Sequence, residues 1–245
     1  MKPIGVIDSL NFTDEHLEAL FIFHGNYSIN KVKGKGDIYK PNEWFEAFKK
    51  PMGKIKNGKL YFPFIEACII TDKGSSVKFP LKVYARSPKS QTVEFAGVNG
   101  YTERSEVLKY NLLELLSQKR LDYTNLTRCD ISIDFIGEIP KSIINNIVKS
   151  GREPKQVGTT IYYKSVSEKK SNPYFDIKIY NKTEQLKKMY GVDLGKEVWR
   201  LEFCFKSSYM KGFKGSDIDS KKLTEKMERT IKKVIRKSIK IKPFK

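Results

Sequence analysis

Histidine is nearly missing from this chain. His16 and His24 are the only two among 245 residues. They cannot supply a His-x-His metal pair, a zinc motif, or a Ser-His or Cys-His catalytic pair. Cysteine is scarce as well: Cys68, Cys129 and Cys204 are odd in number and far apart. A disulfide framework is not expected from them, and no CxxC pair exists. Each sits in an apolar or alternating stretch, so buried thiols in a reducing cytosol are expected. No GxxxxGK[ST] phosphate loop occurs, and Lys33-Gly34-Lys35-Gly36 reads as a basic turn, which leaves ATPase and dehydrogenase chemistry unsupported. No apolar run approaches the ~18 residues of a membrane span. The first residues lack the apolar core and small-residue cleavage site of a signal peptide. The expected location is the cytoplasm of a bacterial host.

Acidic residues are also in deficit. There are 28 Asp and Glu against 47 Lys and Arg, a net charge of +19, with a pI of about 9.6. So large a positive excess repels itself and calls for a polyanionic partner. Nucleic acid and an anionic membrane surface are the candidates, and the membrane reading rests on a basic final helix alone. The last 40 residues hold 14 Lys and Arg against 4 Asp and Glu. What is plentiful is apolar matter: 39% hydrophobic and 12% aromatic residues suffice for a core. The richness in Lys, Ile, Asn and Tyr suggests an AT-rich bacterial or phage genome.

Along the chain, residues 1–60 read as irregular, with weak helical signals at 14–23 and 42–50. Residues 60–71, 77–86 and 92–98 have the composition of strands, and 103–119 the periodicity of a helix. The same order then recurs: a strand at 128–135, a helix opened by Pro140 and closed by Gly151, strands at 159–165 and 174–180, a short helix at 183–190 ended by Gly191, and a strand at 198–206. A long helix is expected over 216–239, with Ser216 and Asp219 at capping-box spacing. This predicts an α+β fold of antiparallel strands with helices on one face, in two halves of similar pattern. The expected divisions are 1–60, a first half at 61–126, and a second half at 127–245 that carries the site and the basic helix.

Three strands carry residues with chemistry. In 128–135 (RCDISIDF), period-two alternation puts Arg128, Asp130, Ser132 and Asp134 on one face. Two carboxylates about 7 Å apart on a strand face need solvent, a partner or a cation. Pairing with Arg128 or a nearby Lys is the plain alternative. In 198–205 (VWRLEFCF), Arg200, Glu202 and Cys204 oppose an aromatic face, and Arg200 is the plain partner for Glu202. If the strands are neighbours, Asp130, Asp134 and Glu202 converge, and their oxygens suit Mg²⁺ or Mn²⁺. In 176–182 (DIKIYNK), Asp176, Lys178, Tyr180 and Lys182 share a face. Lys178 and Lys182 are expected to lower the Tyr180 phenol and attract phosphate. A packing role is the plain reading for any one of 13 tyrosines. In 159–165 (TTIYYKS), Tyr162, Tyr163 and Lys164, followed by Lys169 and Lys170, interleave aromatics with cations, as single-stranded nucleic acid requires.

The ordered set TRCDISIDF, GTTIYYKS, DIKIYNKTEQ and WRLEFCF resembles the replication initiation factor family. That family comprises rolling-circle plasmid initiators, filamentous phage replication proteins and relaxases of conjugative elements. The likeness covers about a third of the chain, and a Gly common after the TIY strand in the family is here Tyr163-Lys164-Ser165. The resemblance implies a duplicated α+β core, a divalent metal held by acids, and a tyrosine that becomes joined to the 5′ phosphate of a nicked strand. Carried onto this chain, the metal acids are Asp130, Asp134 and Glu202, and the nucleophile is Tyr180, with Tyr162, Tyr163 and Tyr174 as alternatives. Lys178, Lys182 and Arg200 are expected to stabilise charge on the phosphate. DNA contacts are expected from Arg128, Tyr162, Lys164, Lys169, Lys170, Lys232, Lys233, Arg236 and Lys237. The partner is an origin hairpin or single-stranded DNA, with a host helicase as a second expected partner. The rival reading is a non-catalytic DNA-binding protein, a repressor or origin-melting factor, on the same fold.

Overall fold

The structure is a computed structural model, and it describes residues 3–14, 27–33, 54–56, 59–61, 64–70, 76–87, 90–117, 119, 121–165 and 174–244. Lys169, Lys170 and, apart from Asp14, the expected helical stretches at 14–23 and 42–50 lie outside the described residues.

The strands β1 (Ile4–Asp14), β2 (Tyr27–Lys33), β3 (Lys54–Lys56), β4 (Lys59–Tyr61), β5 (Phe64–Ile70), β6 (Ser76–Ser87) and β7 (Ser90–Ala96) lead to helix α1 (Glu103–Ser117). Then follow β8 (Asn125–Ile136), α2 (Lys141–Lys149), β9 (Arg152–Val157), β10 (Thr160–Ser165) and β11 (Phe175–Asn181). The chain continues through α3 (Lys182–Tyr190), β12 (Val198–Phe205), α4 (Ser207–Met210), α5 (Lys221–Ile235) and β13 (Lys240–Ile241). Antiparallel sheet with helices makes the fold α+β, as the strand and helix patterning predicts.

The chain divides into two compact units. One consists of Ser9–Leu126 with Lys214–Ser216. Its strands run in the order β2-β5-β6-β7-β1, each antiparallel to its neighbour. Leu10 and Phe12 of β1 are fully buried with Phe95, Leu108, Leu112 and Leu115, and the Phe12 and Phe95 rings meet edge to face at 5.8 Å. Residues 4–14 thus form a strand where an irregular segment is expected. The alternation of Leu10 and Phe12 with Asn11 and Thr13 is the signal for it.

The other unit comprises Met1–Asp8, Thr127–Phe213 and Asp217–Lys245. Its sheet runs β8-β12-β11-β10-β9, antiparallel throughout. The start of β1 lies beside β8 and pairs in parallel with β13. Gly5 lets the chains close up, because a Cβ there would meet Ile131 Cγ2 at 3.0 Å and Ile239 Cδ1 at 3.3 Å. Cross-strand partners share a face. Cys129, Ile131 and Ile133 therefore align with Phe205, Phe203 and Leu201, and these last two with Ile177 and Ile179. That apolar face is covered by helix. The Tyr209 ring lies tilted against Phe205, centres 4.5 Å apart, and its hydroxyl donates to the Lys226 carbonyl of α5 at 2.8 Å. Leu223, Met227, Ile231, Val234 and Ile235 of α5 are buried, each worth about 1.5–3 kcal/mol against exposure. Asn146 of α2 ties the two helices together by donating to the Ile235 carbonyl at 2.9 Å.

The last helix is shorter than 216–239. A 3-10 turn occupies Gly215–Asp219, and the cap is Ser220, whose side chain accepts from the Leu223 amide. Arg236 stops the helix in the left-handed region, at φ +54°. The capping-box spacing of Ser216 and Asp219 misplaces this start. The shorter helix at 182–190 has the expected end: Gly191 adopts φ +67°.

Candidate functional site: the polar face of the sheet

Alternation that turns one face of the second unit's sheet apolar turns the other polar. Register puts Asp130 opposite Cys204, Ser132 opposite Glu202 and Asp134 opposite Arg200. On the far side of β12, Glu202 faces Lys178 and Arg200 faces Tyr180. One strand further, Tyr162 faces Lys178. The three acid-bearing and tyrosine-bearing stretches, remote in sequence, do lie side by side.

Their side chains form two ion clusters. In the first, Lys178 Nζ donates to Glu202 Oε1 at 2.5 Å, Tyr180 Oη to Glu202 Oε2 at 3.0 Å, and Cys204 Sγ to Glu202 Oε1 at 3.1 Å. Beside them Arg128 grips Asp130 through Nε at 2.8 Å and Nη2 at 2.6 Å. In the second, Arg200 takes both oxygens of Asp134, at 2.7 and 2.8 Å. Its Nη1 donates to Asp8 at 2.8 Å. Arg200 is fully enclosed, at 0% exposure. It is thus held inside the fold, away from any surface a phosphate can reach. Asp134, expected among the metal acids, is turned to Arg200. Arg200 is not the partner of Glu202; Lys178 is.

The two clustered acids titrate apart. Burial pushes Asp130 up to about 7, against the opposing pull of Arg128. Burial also pushes Glu202 up, but the Lys178 charge and hydrogen bond, with those from Cys204 and Tyr180, bring it down to about 2. Burial is the main cause of the Asp130 rise and the Glu202 charge adds to it, so of the two acids Glu202 ionises far more readily. The Tyr180 phenol is pushed above its ordinary value, by burial first and then by the Glu202 charge. This corrects the expectation that Lys178 and Lys182 lower it. Lys178 is raised: burial opposes its charge, but Glu202, Cys204 and Asp130 outweigh that. Lys182 goes the other way, to about 8, through burial and the nearby Arg200. Its ammonium donates to Gln185 at 2.8 Å and lies 5.8 Å from the Tyr180 ring centre.

Asp130, Glu202 and Cys204 each offer a ligand atom within 4.8 Å of the others. The two carboxylates suit a hard cation such as Mg²⁺ or Mn²⁺, whereas the Cys204 sulfur, a soft ligand whose thiol burial pushes up, does not. The Ser132 hydroxyl, fully buried on the same face, has no hydrogen-bond partner among the described residues. A buried orphan oxygen is costly, and here it stands across from Glu202.

Neither a protein-family model nor a curated protein sequence matches the chain. Among solved structures it is similar to one titled "Structure of Rolling Circle Replication Initiator Protein from Geobacillus stearothermophilus". Identity is 14%, coverage 84% of this chain and 76% of that chain, and the TM-score 0.35. A likeness so loose transfers no role to any residue.

The remaining expected residues are spread out. Tyr162 borders the cluster through Lys178, and Lys164, on the same face of β10, is exposed. Tyr163 points into the apolar side, opposite Ile177, and is 4% exposed. Lys232, Lys233, Arg236 and Lys237 are exposed on or just after α5, behind the sheet. Sequence reading missed Asp8, Ser132 and Cys204 as members of the site. Cys204 was legible from its parity with Glu202; Asp8 was hidden because β1 was read as irregular. Among the described residues no helix is long and apolar enough to cross a membrane.

Proposed function

We propose that this chain is a DNA-binding replication initiator that cuts one strand at the polar sheet face, with Tyr180 as the attacking residue. The observation that carries the reading is the hydrogen bond from Tyr180 Oη to Glu202 Oε2, 3.0 Å long, beside a cation-sized donor group. In the resting face Glu202 is held strongly acidic by Lys178 and is a poor base for a phenol. A DNA phosphate arriving beside Lys178 shares its ammonium, and Glu202 becomes more basic as a result. The phenol proton then passes to Glu202. The Tyr180 oxygen forms a bond to phosphorus, and the bond from phosphorus to the 3′ oxygen breaks, leaving a 5′-phosphotyrosyl link. Lys182, held near 8, is the proton source for the leaving oxygen. Asp130 and Glu202 would supply oxygens to Mg²⁺ or Mn²⁺, which would polarise the scissile phosphate. Arg200 and Asp134 act as a brace that fixes β8 against β12. Tyr162 and Lys164 offer a base-stacking ring and a phosphate contact along the same face.

A second reading, DNA binding without cutting, is favoured by one observation. The acids of this face are each matched by a cation: Asp130 by Arg128, Glu202 by Lys178, and Asp8 and Asp134 by the enclosed Arg200. A face neutralised from within can be structural.

Incubation with single-stranded origin oligonucleotides and Mn²⁺ separates the two. The cutting reading expects a covalent protein–DNA adduct that survives denaturant and disappears in Tyr180→Phe. An adduct that persists in that variant moves the nucleophile to another tyrosine. Salt-sensitive binding with no adduct in any divalent ion leaves the second reading.

A further inference from the structure

The exposed side of α5 is unlike the rest of the unit. Between residues 221 and 242 there are ten Lys and Arg against Glu225 and Glu228. Both acids are engaged: Glu225 lies 3.8 Å from Lys221, and Glu228 accepts from the Ile241 amide at 2.7 Å. Lys226 is also committed, donating to the Tyr209 carbonyl at 2.7 Å. Lys232, Lys233, Arg236 and Lys237 are exposed and have no ion-pair partner among the described residues.

Helical spacing aligns Lys222, Arg229, Lys233 and Arg236 on the side away from buried Leu223, Met227 and Ile231. From Lys222 to Lys233 the stripe runs about 16 Å, and the major groove of B-DNA is about 12 Å wide. The helix dipole favours Lys232 and Lys233 in the last turn but does not explain the rest of the charge. Cations favour a helix C-terminus, yet α5 begins with Lys221 and Lys222 and has no acid in its first turn. The stripe is also not on the side of the polar sheet face. α5 packs on the apolar face through Tyr209 and Phe205, so its outer side lies roughly a helix diameter, about 10 Å, behind the sheet.

We propose that the outer side of α5 and the residues just after it form a second nucleic-acid surface, which holds the phosphates of double-stranded DNA. The contact is to backbone rather than to bases, so it is strong in low salt and indifferent to sequence. A stretch of duplex bound there and a strand on the polar face are different segments of the DNA. The inference requires only DNA as partner and stands whether or not Tyr180 attacks. An anionic membrane is the less suited occupant, because the apolar residues of α5 are buried in the unit and none remains to enter a bilayer.

Fluorescence anisotropy tests this with a blunt duplex of about 20 base pairs and a single strand of the same length, across a salt series. The combined variant Lys232→Gln, Lys233→Gln, Arg236→Gln and Lys237→Gln is expected to bind duplex at least about tenfold more weakly. Its plot of log K against log salt should be shallower by about 0.9 for each phosphate that the variant no longer neutralises. Single-strand affinity should fall much less. A companion variant, Lys232→Arg, Lys233→Arg and Lys237→Arg, should keep duplex binding, which guards against a folding artefact. Equal loss on both DNAs overturns the proposal, as does an unchanged duplex slope. Tighter binding to phosphatidylserine vesicles than to duplex, lost in the Gln variant, would assign the surface to a membrane instead.

Discussion

Lys178→Met is the perturbation that probes the polar face most sharply. In the folded chain Lys178 is the main reason that Glu202 ionises at about 2 despite being buried. Against an ordinary carboxyl of about 4.5, that depression corresponds to roughly 3 kcal/mol of stability at neutral pH. The stability is fully present above about 4.5 and is lost as pH falls toward 2. Removing the ammonium leaves Glu202, 5% exposed, with only the Tyr180 and Cys204 donors. Burial then pushes its pKa above the unfolded value, and the sign of the linkage reverses. The variant is penalised more as pH rises through the weakly acidic range and is nearest to wild type at low pH. Stranding a buried charge in this way costs about 3–5 kcal/mol. In a chain of this size that is on the order of 10 °C in melting temperature. Melts followed by circular dichroism from pH 5 to pH 8 read both the drop and its growth with pH. Mn²⁺ should recover more of the loss in the variant than it adds to wild type, since the cation takes the place of the ammonium. A shift of under about 2 °C, or one that does not depend on pH, refutes the claim that Lys178 compensates Glu202.

Four further outcomes are expected. Asp130, raised to about 7 by burial, binds its proton more tightly folded than unfolded; its share of stability is present below about 4 and is lost as pH climbs to about 7, so Asp130→Asn should flatten that decline in a pH series of urea melts. Mn²⁺ binding near pH 6 should release fewer protons in Asp130→Asn than in wild type, read by calorimetry in two buffers of unlike ionisation heat. Arg200→Met strands Asp8 and Asp134 and should cost about 3–5 kcal/mol, and Arg200→Lys should recover little of it because one ammonium cannot replace the bidentate grip; urea unfolding measures both. Ser132→Ala removes a buried hydroxyl without a partner among the described residues, so stability should hold or rise by about 1 kcal/mol while Mn²⁺ affinity falls; a clear loss of stability would mean that the hydroxyl is bonded.

Amino-acid order alone was enough for the strands that matter most. RCDISIDF, DIKIYNK and VWRLEFCF alternate strongly, and period two settles which residues share a face whatever the surroundings. It also settled the surplus of positive charge and its concentration near residue 245. Helix ends were less legible. The 216–239 stretch is helical in periodicity throughout, and only the Ser220 cap and the left-handed Arg236 bound α5, both local backbone choices that tertiary packing selects. Partnership was the part that order could not supply. Arg200 stands two residues from Glu202 on one face, but register sets Arg200 against Asp134 and gives Glu202 to Lys178. The same register decided that Asp130 sits against Cys204 instead of lining up with Asp134 around one ion. Burial then did what no sequence pattern encodes: it raised Asp130 and Tyr180, while the Lys178 charge drove Glu202 down, because the cost of a charge depends on which neighbours surround it in three dimensions.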